Sequence, residues 1–319
     1  PLAESLSKRL HDIMPEWQKL MSRQLERGEF KQLCIDLDQF LNDASKDNKL
    51  PKAIVAVGLY GQSPDMKKIL EISNHYNIPV IEDSADTLGA KINNFSSGFY
   101  SDMSITSFYG SHIINCAGNG GALAINDKKV MEKAKLLRSW GRSSSLFDEK
   151  SEAIENRFNV DLDGIEYDAK FVFETVGYNL EGNELGAAFG LVQLTKLQQN
   201  IETRQANFQR QCAFFDKHSK YFINPKETND CNTAWLAFPL LIKRDAPFTR
   251  KDFQIYLENK NIQTRVVFTG NILRQPMCQN INKKVLEAGY PNADNVMGRG
   301  VLLPLHHGLT EPMFERFQA

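Results

Sequence analysis

Val80-Ile81-Glu82-Asp83-Ser84-Ala85-Asp86 decides the fold of this chain, because a buried strand and a group of acids lie within one short stretch. The apolar start predicts a strand, and the acids follow at its carboxyl end. Ligands bind at the carboxyl ends of strands in open α/β sheets. The stretch therefore predicts a binding site at a sheet edge, with helix capping as the structural alternative for the same acids.

The residues before this stretch complete a β-α-β unit. The apolar run 53–59 predicts a strand buried on both faces, and Asp65 to Tyr76 has the apolar spacing of a helix. Asn77-Ile78-Pro79 breaks that helix before the next strand. Because such units join parallel strands by a right-handed crossover, we expect an α/β fold with a mostly parallel sheet.

Further elements follow on both sides of this unit. They are an amphipathic helix within 1–33, a short strand at 33–37, strands at 103–109 and 121–125, a helix at 128–140, a long helix from 183 to about 208 with Leu185, Phe189, Val192 and Leu197 towards the core, a strand at 233–242, a helix at 249–260 and a strand at 262–268. The pattern becomes α+β after the long helix. We therefore expect a large domain of residues 1–205 and a smaller α+β domain of residues 206–319.

The charge balance argues against several classes of partner. The 38 basic and 39 acidic residues nearly cancel, so no overall field attracts nucleic acid or anionic lipid. The apolar runs, such as 53–59, are too short to cross a bilayer, and residues 1–10 lack the apolar core of a signal peptide. We expect a cytoplasmic protein that binds neither nucleic acid nor membranes.

The cysteine spacing argues against a metal centre. No two of the five cysteines are closer than 19 positions, and there is no C-x-x-C pair. Zinc ribbons and cysteine-ligated iron–sulfur clusters usually contain such pairs. We expect reduced, structural thiols and no metal ion.

Two further clusters follow the acids along the chain. Ser107-Phe108-Tyr109-Gly110-Ser111-His112 places a hydroxyl group and an imidazole after a strand, and Gly118-Asn119-Gly120-Gly121 allows close backbone approach. A lone histidine is usually structural, and the glycines alone are typical of a tight hairpin. Because neighbouring strands bring their ends together, the three clusters jointly favour one site. The sequence contains no G-x-S-x-G elbow, which argues against an α/β-hydrolase. It also contains no P-loop, which argues against a nucleoside-triphosphate site.

At these residues the chain resembles the nucleotide-sugar aminotransferases and dehydratases, which are pyridoxal-phosphate (PLP) enzymes of the aminotransferase fold type I. The resemblance extends from about Cys34 to Thr310. It rests on six ordered blocks: Leu59-Tyr60-Gly61-Gln62, 81–90, Ser107-Phe108-Tyr109, 118–122, Gly177-Tyr178-Asn179-Leu180 and 305–310.

The resemblance implies roles for cofactor contacts. Asp83 would accept the pyridine N–H of the cofactor and keep the ring able to withdraw electrons. Asp86 would lie near the phenolic oxygen, and Ser107 would bond the phosphate. Asn179 would reach the phosphate in the neighbouring subunit, which implies a homodimer with shared active sites.

His112 occupies the position at which the family usually carries the lysine that binds the cofactor covalently. Imidazole forms no stable Schiff base, so the resemblance implies pyridoxamine phosphate (PMP) held without a covalent bond. A histidine with an unshifted pKa near 6.5 moves protons readily at neutral pH. In the family this exchange marks the 3-dehydratases of nucleotide-linked 4-keto-6-deoxyhexoses in deoxysugar and surface polysaccharide biosynthesis. The substrate contacts would include Tyr109 and Arg265.

Several alternatives stay open at this point. An aminotransferase would need a lysine, and none lies between Asp102 and Asp127. A catalytically silent binding member is a third possibility, because residues 1–33 contain no Gly-Thr/Ser-Ser phosphate loop of the family type. Two dehydratase types share the histidine: one regenerates its cofactor with glutamate, and the other carries an iron–sulfur cluster for reduction by a partner. Ser143-Ser144-Ser145 stands where the second type has cysteine ligands, so we expect no cluster, while the nucleotide and hexose stay undetermined.

Overall fold

The computed structural model describes residues 30–148, 154–228, 230–281 and 289–319. Within these ranges the α-helices are α1 (Phe30–Lys46), α2 (Met66–Tyr76), α3 (Lys128–Arg138), α4 (Ile154–Arg157), α5 (Glu184–Thr195), α6 (Leu197–Asp216), α7 (Arg250–Asn259), α8 (Pro291–Arg299) and α9 (Glu311–Gln318). The strands are β1 (Ile54–Val57), β2 (Val80–Asp83), β3 (Lys91–Ile92), β4 (Phe95–Ser96), β5 (Met103–Ser107), β6 (Gly121–Ile125), β7 (Val160–Leu162), β8 (Ile165–Tyr167), β9 (Phe222–Ile223), β10 (Cys231–Asn232), β11 (Phe238–Ile242), β12 (Arg265–Val266) and β13 (Gly300–Leu303).

A four-stranded sheet in the order β1-β2-β5-β6 carries the predicted β-α-β unit. β1, β2 and β5 run parallel, with Ile54 opposite Val80 and Asp83 opposite Ile105. β6 pairs antiparallel with β5. The predicted strands and the mostly parallel sheet are therefore confirmed. The carboxyl ends of β2 and β5 meet at one edge.

Helix α2 begins and ends at the residues that its sequence predicts. The side chain of Asp65 caps its first turn by accepting a hydrogen bond from Lys68 N at 3.0 Å. Asn77 ends it in the left-handed conformation, with φ of 55°, which asparagine tolerates better than most residues. Met66, Ile69 and the other apolar residues of α2 pack under the sheet.

The strand predicted at 33–37 is wrong, because these residues lie in α1. Cys34 and Leu41 are buried against α2 and β1, and Leu37 packs beside them. Their spacing of three and four residues is that of a helix face, whereas a stretch of only five residues fits either period. The predicted helix in 1–33 lies mostly outside the described residues.

The single long helix predicted from residue 183 is also wrong, since α5 and α6 meet at Lys196. Of the predicted core residues, Leu197 is half-buried, but Leu185, Phe189 and Val192 are exposed. Helix α5 is apolar around most of its circumference, so its sequence does not show which side faces the protein. Its glycines decide this, as described below.

The C-terminal part of the chain forms a second sheet, with the order β12-β13-β11-β9 and antiparallel pairing throughout. Aromatic residues of α6 and β11, including Phe208 and Phe238, form its core with Trp235. Thr249 and Asp252 form a capping box at the start of α7. The α+β pattern is confirmed. The boundary expected at residue 205 falls within α6, and the division into two domains stays a prediction.

In the described ranges, no helix combines the length and apolarity needed to span a membrane. The same residues contain no group of three histidine, cysteine or acidic side chains placed to hold a metal ion. Cys34, Cys116, Cys212 and Cys231 are free thiols.

Candidate functional site

The sheet edge brings together the acids of β2 and the hydroxyl groups of β5. Ser84 N donates to Ile105 O at 2.8 Å and Thr106 Oγ1 donates to Ser84 O at 3.4 Å, which continues the β2–β5 pairing beyond Asp83. Asp83 is half-buried, and its Oδ1 accepts the amide of Ala85 at 3.1 Å. The local turn therefore holds the Asp83 carboxylate at the edge, as the sequence predicts.

Asp86 lies deeper at the same edge. It is 8% exposed, and its Oδ2 accepts a hydrogen bond from Tyr60 N at 3.2 Å. Burial raises its pKa from 3.8 to about 6, opposed by the Tyr60 hydrogen bond and reinforced by the charge of Asp83. A buried carboxylate with a raised pKa at a sheet edge is a candidate for a functional residue. Burying its charge destabilises the fold, and a residue with a purely structural role would not require a charge there.

The loop between β5 and β6 carries His112. Phe108 N donates to Gly120 O and Gly110 N donates to Gly118 O, so the glycines continue the hairpin ladder. A Cβ atom at Gly120 would lie 2.9 Å from the Cβ of Cys116, which shows why no side chain fits there. The glycine cluster thus forms part of a tight hairpin. This hairpin closes the loop that carries His112.

The imidazole of His112 faces Asp86, with 3.5 Å between Nδ1 and Asp86 Oδ1. That separation is too long for a good hydrogen bond, and Nδ1 has no hydrogen-bond partner among the described residues. Burial lowers the pKa of His112, although the charge of Asp83 opposes this shift. Burial therefore favours the neutral form of the His112 imidazole over the protonated form. A neutral imidazole beside a buried carboxylate can accept a proton.

Helix α5 supports the histidine loop through its glycine face. A Cβ atom at Gly190 would lie 2.5 Å from Cys116 Sγ, and one at Gly186 would lie 2.9 Å from Cys116 O. Asn200 at the start of α6 donates to Ile113 O at 3.4 Å. The two glycines are four residues apart, on one helix face. They allow α5 to approach the loop closely, and the apolar side chains of α5 consequently point outwards.

The other predicted site residues lie further out. Ser107 is half-buried at the end of β5, where its Oγ accepts Tyr109 N at 3.2 Å. Tyr109 is exposed, and its ring centroid lies 6.3 Å from that of His112. Arg265 is exposed on β12, in the second sheet. Asn179 is exposed and pairs through its backbone with Ser139. Between described residues, no hydrogen bond or ion pair joins Asn179 or Arg265 to His112.

Two residues near the site have no role predicted from the sequence. Tyr60 lies in one of the quoted blocks and bonds Asp86 through its main chain. Arg204 is 1% exposed in α6, and donates to the carbonyl oxygens of Trp235 and Leu236 and to His307 Nδ1. The sequence could have indicated that Arg204 is buried, because it lies three residues after Ile201 and therefore on the apolar face of the helix.

Comparison with known proteins shows the family of this chain. The family model described as the DegT/DnrJ/EryC1/StrS aminotransferase family matches residues 29–317. The chain belongs to this family. The family consists of PLP-dependent enzymes of the type I aminotransferase fold, so the fold class inferred from the motifs is confirmed.

Individual relatives include both dehydratases and aminotransferases. The chain is 28% identical over 277 residues to lipopolysaccharide biosynthesis protein RfbH of Salmonella typhimurium, covering 86% of this chain and 63% of that protein. It is 30% identical to GDP-4-keto-6-deoxy-D-mannose 3-dehydratase of Yersinia pseudotuberculosis, covering 81% and 60%. The Escherichia coli dehydratase of that name, solved with hydrated PLP, superposes with a TM-score of 0.70 at 26% identity, covering 83% of this chain and 65% of that one. The chain thus spans less than two thirds of the length of these relatives.

Proposed function

We propose that this chain acts as a PMP-dependent 3-dehydratase on a nucleotide-linked 4-keto-6-deoxyhexose. The proposal rests on the position of His112, which faces Asp86 at the sheet edge. The resemblance described above implies a lysine at this position in most members of the family. The described part of the loop between β5 and β6 contains no lysine. A covalently bound resting cofactor is therefore disfavoured, and so is the release of an aminated product by a lysine.

The residues at the edge fit a pyridoxamine phosphate. The half-buried carboxylate of Asp83 would hold the pyridine nitrogen in its protonated form, and the Ser107 hydroxyl would bond the phosphate. Asp86, with its raised pKa, suits a place beside the phenolic oxygen, where a proton can be shared. When bound, the cofactor would supply an electron-withdrawing ring.

His112 would move the proton that this chemistry requires. Because burial favours the neutral imidazole, the ring would be able to accept the proton at C4′ of the aminated cofactor and to give it to the 3-hydroxyl group, which leaves as water. Asp86 lies beside Nδ1 and would offset the positive charge that forms when His112 is protonated. Asp83 adds a second negative charge nearby.

The proposal includes a homodimer in which Asn179 completes the partner's site. Asn179 lies between Val176 and Leu180, which are 80% and 68% exposed. Helix α5 begins close by and presents Leu185, 85% exposed, and Leu191, 67% exposed. Several strongly exposed apolar side chains in neighbouring segments are typical of an interaction surface. A second copy would cover them and would carry Asn179 across a two-fold axis.

The decisive experiment measures dehydration of GDP- and CDP-linked 4-keto-6-deoxyhexoses by protein loaded with PMP, with glutamate as amino donor. We expect a 3-deoxy product, and we expect His112→Asn to lower the rate by about 10²–10⁴-fold while PMP stays bound. The matched control is His75→Asn, which alters an exposed histidine on α2. An aminated product from the parent, or full activity in His112→Asn, would refute the proposal.

A further inference from the structure

Tyr60 occupies a strained turn between β1 and α2. Its φ is 52°, a left-handed value that is uncommon for a bulky residue. Leu59 and Gln62 close the turn with reciprocal backbone hydrogen bonds of 2.8 and 2.9 Å. The following Gly61 has no room for a side chain, because its Cβ atom would lie 2.7 Å from Trp235 Cα. Strain of this kind persists only where the surrounding structure imposes it.

Three polar groups of Tyr60 bond to three separate parts of the molecule. Its amide donates to Asp86 Oδ2 at 3.2 Å, on the candidate catalytic edge of the first sheet. Its carbonyl oxygen accepts Leu236 N at 2.7 Å, just before β11. Its hydroxyl oxygen accepts Phe268 N at 2.6 Å, in the loop after β12. At 6% exposure, the residue makes these bonds away from water.

The loop after β12 is itself held in a strained form. Phe268 has a φ of 44°, and its ring centroid lies 4.9 Å from that of Tyr60. Gly270, with a φ of 61°, would place a Cβ atom 2.4 Å from the side chain of Met297. The Tyr60 hydroxyl is the partner of the Phe268 amide, so it stabilises the conformation of this loop. The loop directly follows Arg265, the substrate-contact candidate on β12.

We propose that Tyr60 is a positioning residue that couples the loop after β12 to the Asp86–His112 pair. The hydroxyl fixes the loop, the amide fixes Asp86, and the rigid turn joins the two. A change in the loop, such as the one that substrate binding near Arg265 would cause, reaches Asp86 through a single residue. This inference rests on the proposed function only for its kinetic consequence, since the coupling itself is a property of the protein alone.

The first test measures hydrogen exchange at the amides of residues 60 and 268 in Tyr60→Phe without substrate or cofactor. The substitution keeps the ring and removes only the hydroxyl. The residue 268 amide loses its acceptor directly, whereas the bond from the residue 60 amide to Asp86 is chemically untouched. We expect both amides to exchange faster. The increase at residue 268 should be about 2- to 12-fold, which corresponds to the free energy of one hydrogen bond. Faster exchange at residue 268 alone would overturn the coupling.

The matched control is Tyr76→Phe. Tyr76, on α2, also has a hydrogen-bonded hydroxyl group, which donates to Asp38 Oδ1 at 3.2 Å. We expect this control to leave the exchange at residues 60 and 268 unchanged. If Tyr76→Phe alters them equally, the effect is general loosening and the proposal is wrong.

The second test compares kinetic constants in the active protein. Because the proposed coupling extends from the loop to the Asp86–His112 pair, Tyr60→Phe should lower kcat by about 2- to 12-fold with a smaller change in KM. A rise in KM with kcat intact would mean that Tyr60 only shapes the substrate loop, and the coupling would be refuted. If the parent has no dehydratase activity, the proposed function fails, while the exchange experiment still decides the coupling.

Discussion

Replacing Asp86 with asparagine should stabilise the protein at neutral pH while it impairs the site. Burial raises the pKa of Asp86 from 3.8 to about 6. Each pKa unit corresponds to 1.36 kcal/mol, so a difference of about 2 costs about 3 kcal/mol of folding free energy once the group is ionised in both states. The amide of the substituted side chain would keep an oxygen acceptor for Tyr60 N and would bury no charge.

The pH dependence follows from the direction of the shift. Between pH 4 and 6 the folded protein holds the Asp86 proton and the unfolded chain has lost it, so the free energy of unfolding falls as pH rises. The full penalty is present above pH 6. The stability gained by Asp86→Asn should therefore be near zero at pH 4 and grow to about 3 kcal/mol at pH 7.

Urea unfolding of the protein without cofactor, at pH 4.5, 5.5 and 7, measures this difference. The matched control is Asp102→Asn. Asp102 is an exposed carboxylate that accepts Val80 N at 2.7 Å, and its replacement removes no buried charge and should not stabilise the protein. An Asp86→Asn protein that is equally stable or less stable at pH 7 would refute the reasoning, because Asp86 would then be well stabilised as an anion.

Three further outcomes follow from the site. Asp83→Asn should weaken PMP binding by about tenfold or more, measured by equilibrium dialysis, because an amide cannot hold the pyridinium charge; unchanged binding would make Asp83 structural. Mixing inactive His112→Asn and Asn179→Asp chains should restore activity in heterodimers, and sedimentation of the active protein as a monomer would exclude shared sites. Gly190→Ala should destabilise the protein by roughly 1–3 kcal/mol in thermal or urea unfolding, since its Cβ atom would lie 2.5 Å from Cys116 Sγ; a neutral effect would show that α5 can move away from the loop.

The sequence by itself determined the β-α-β unit, and it predicted that several residues of the candidate site would meet at one sheet edge. Strand periodicity, the Asp65 cap and the break at Asn77 are local signals, and they predict β1, α2 and β2 correctly. The order of the motifs also predicted that Asp83, Asp86 and His112 would meet, because parallel neighbouring strands bring their carboxyl ends to one edge.

Only the tertiary structure decided which faces are covered and what burial does to the charged groups. The short apolar run around Cys34 fits both helical and strand periods, and its packing against α2 selects the helix. Helix α5 turns its glycines inwards because only they allow close approach to Cys116, which leaves Leu185 exposed. The raised pKa of Asp86 and the lowered pKa of His112 both come first from burial, which depends on residues distant in sequence. The bonds of Tyr60 to Asp86 and Phe268 span 26 and 208 positions, and no local pattern encodes them.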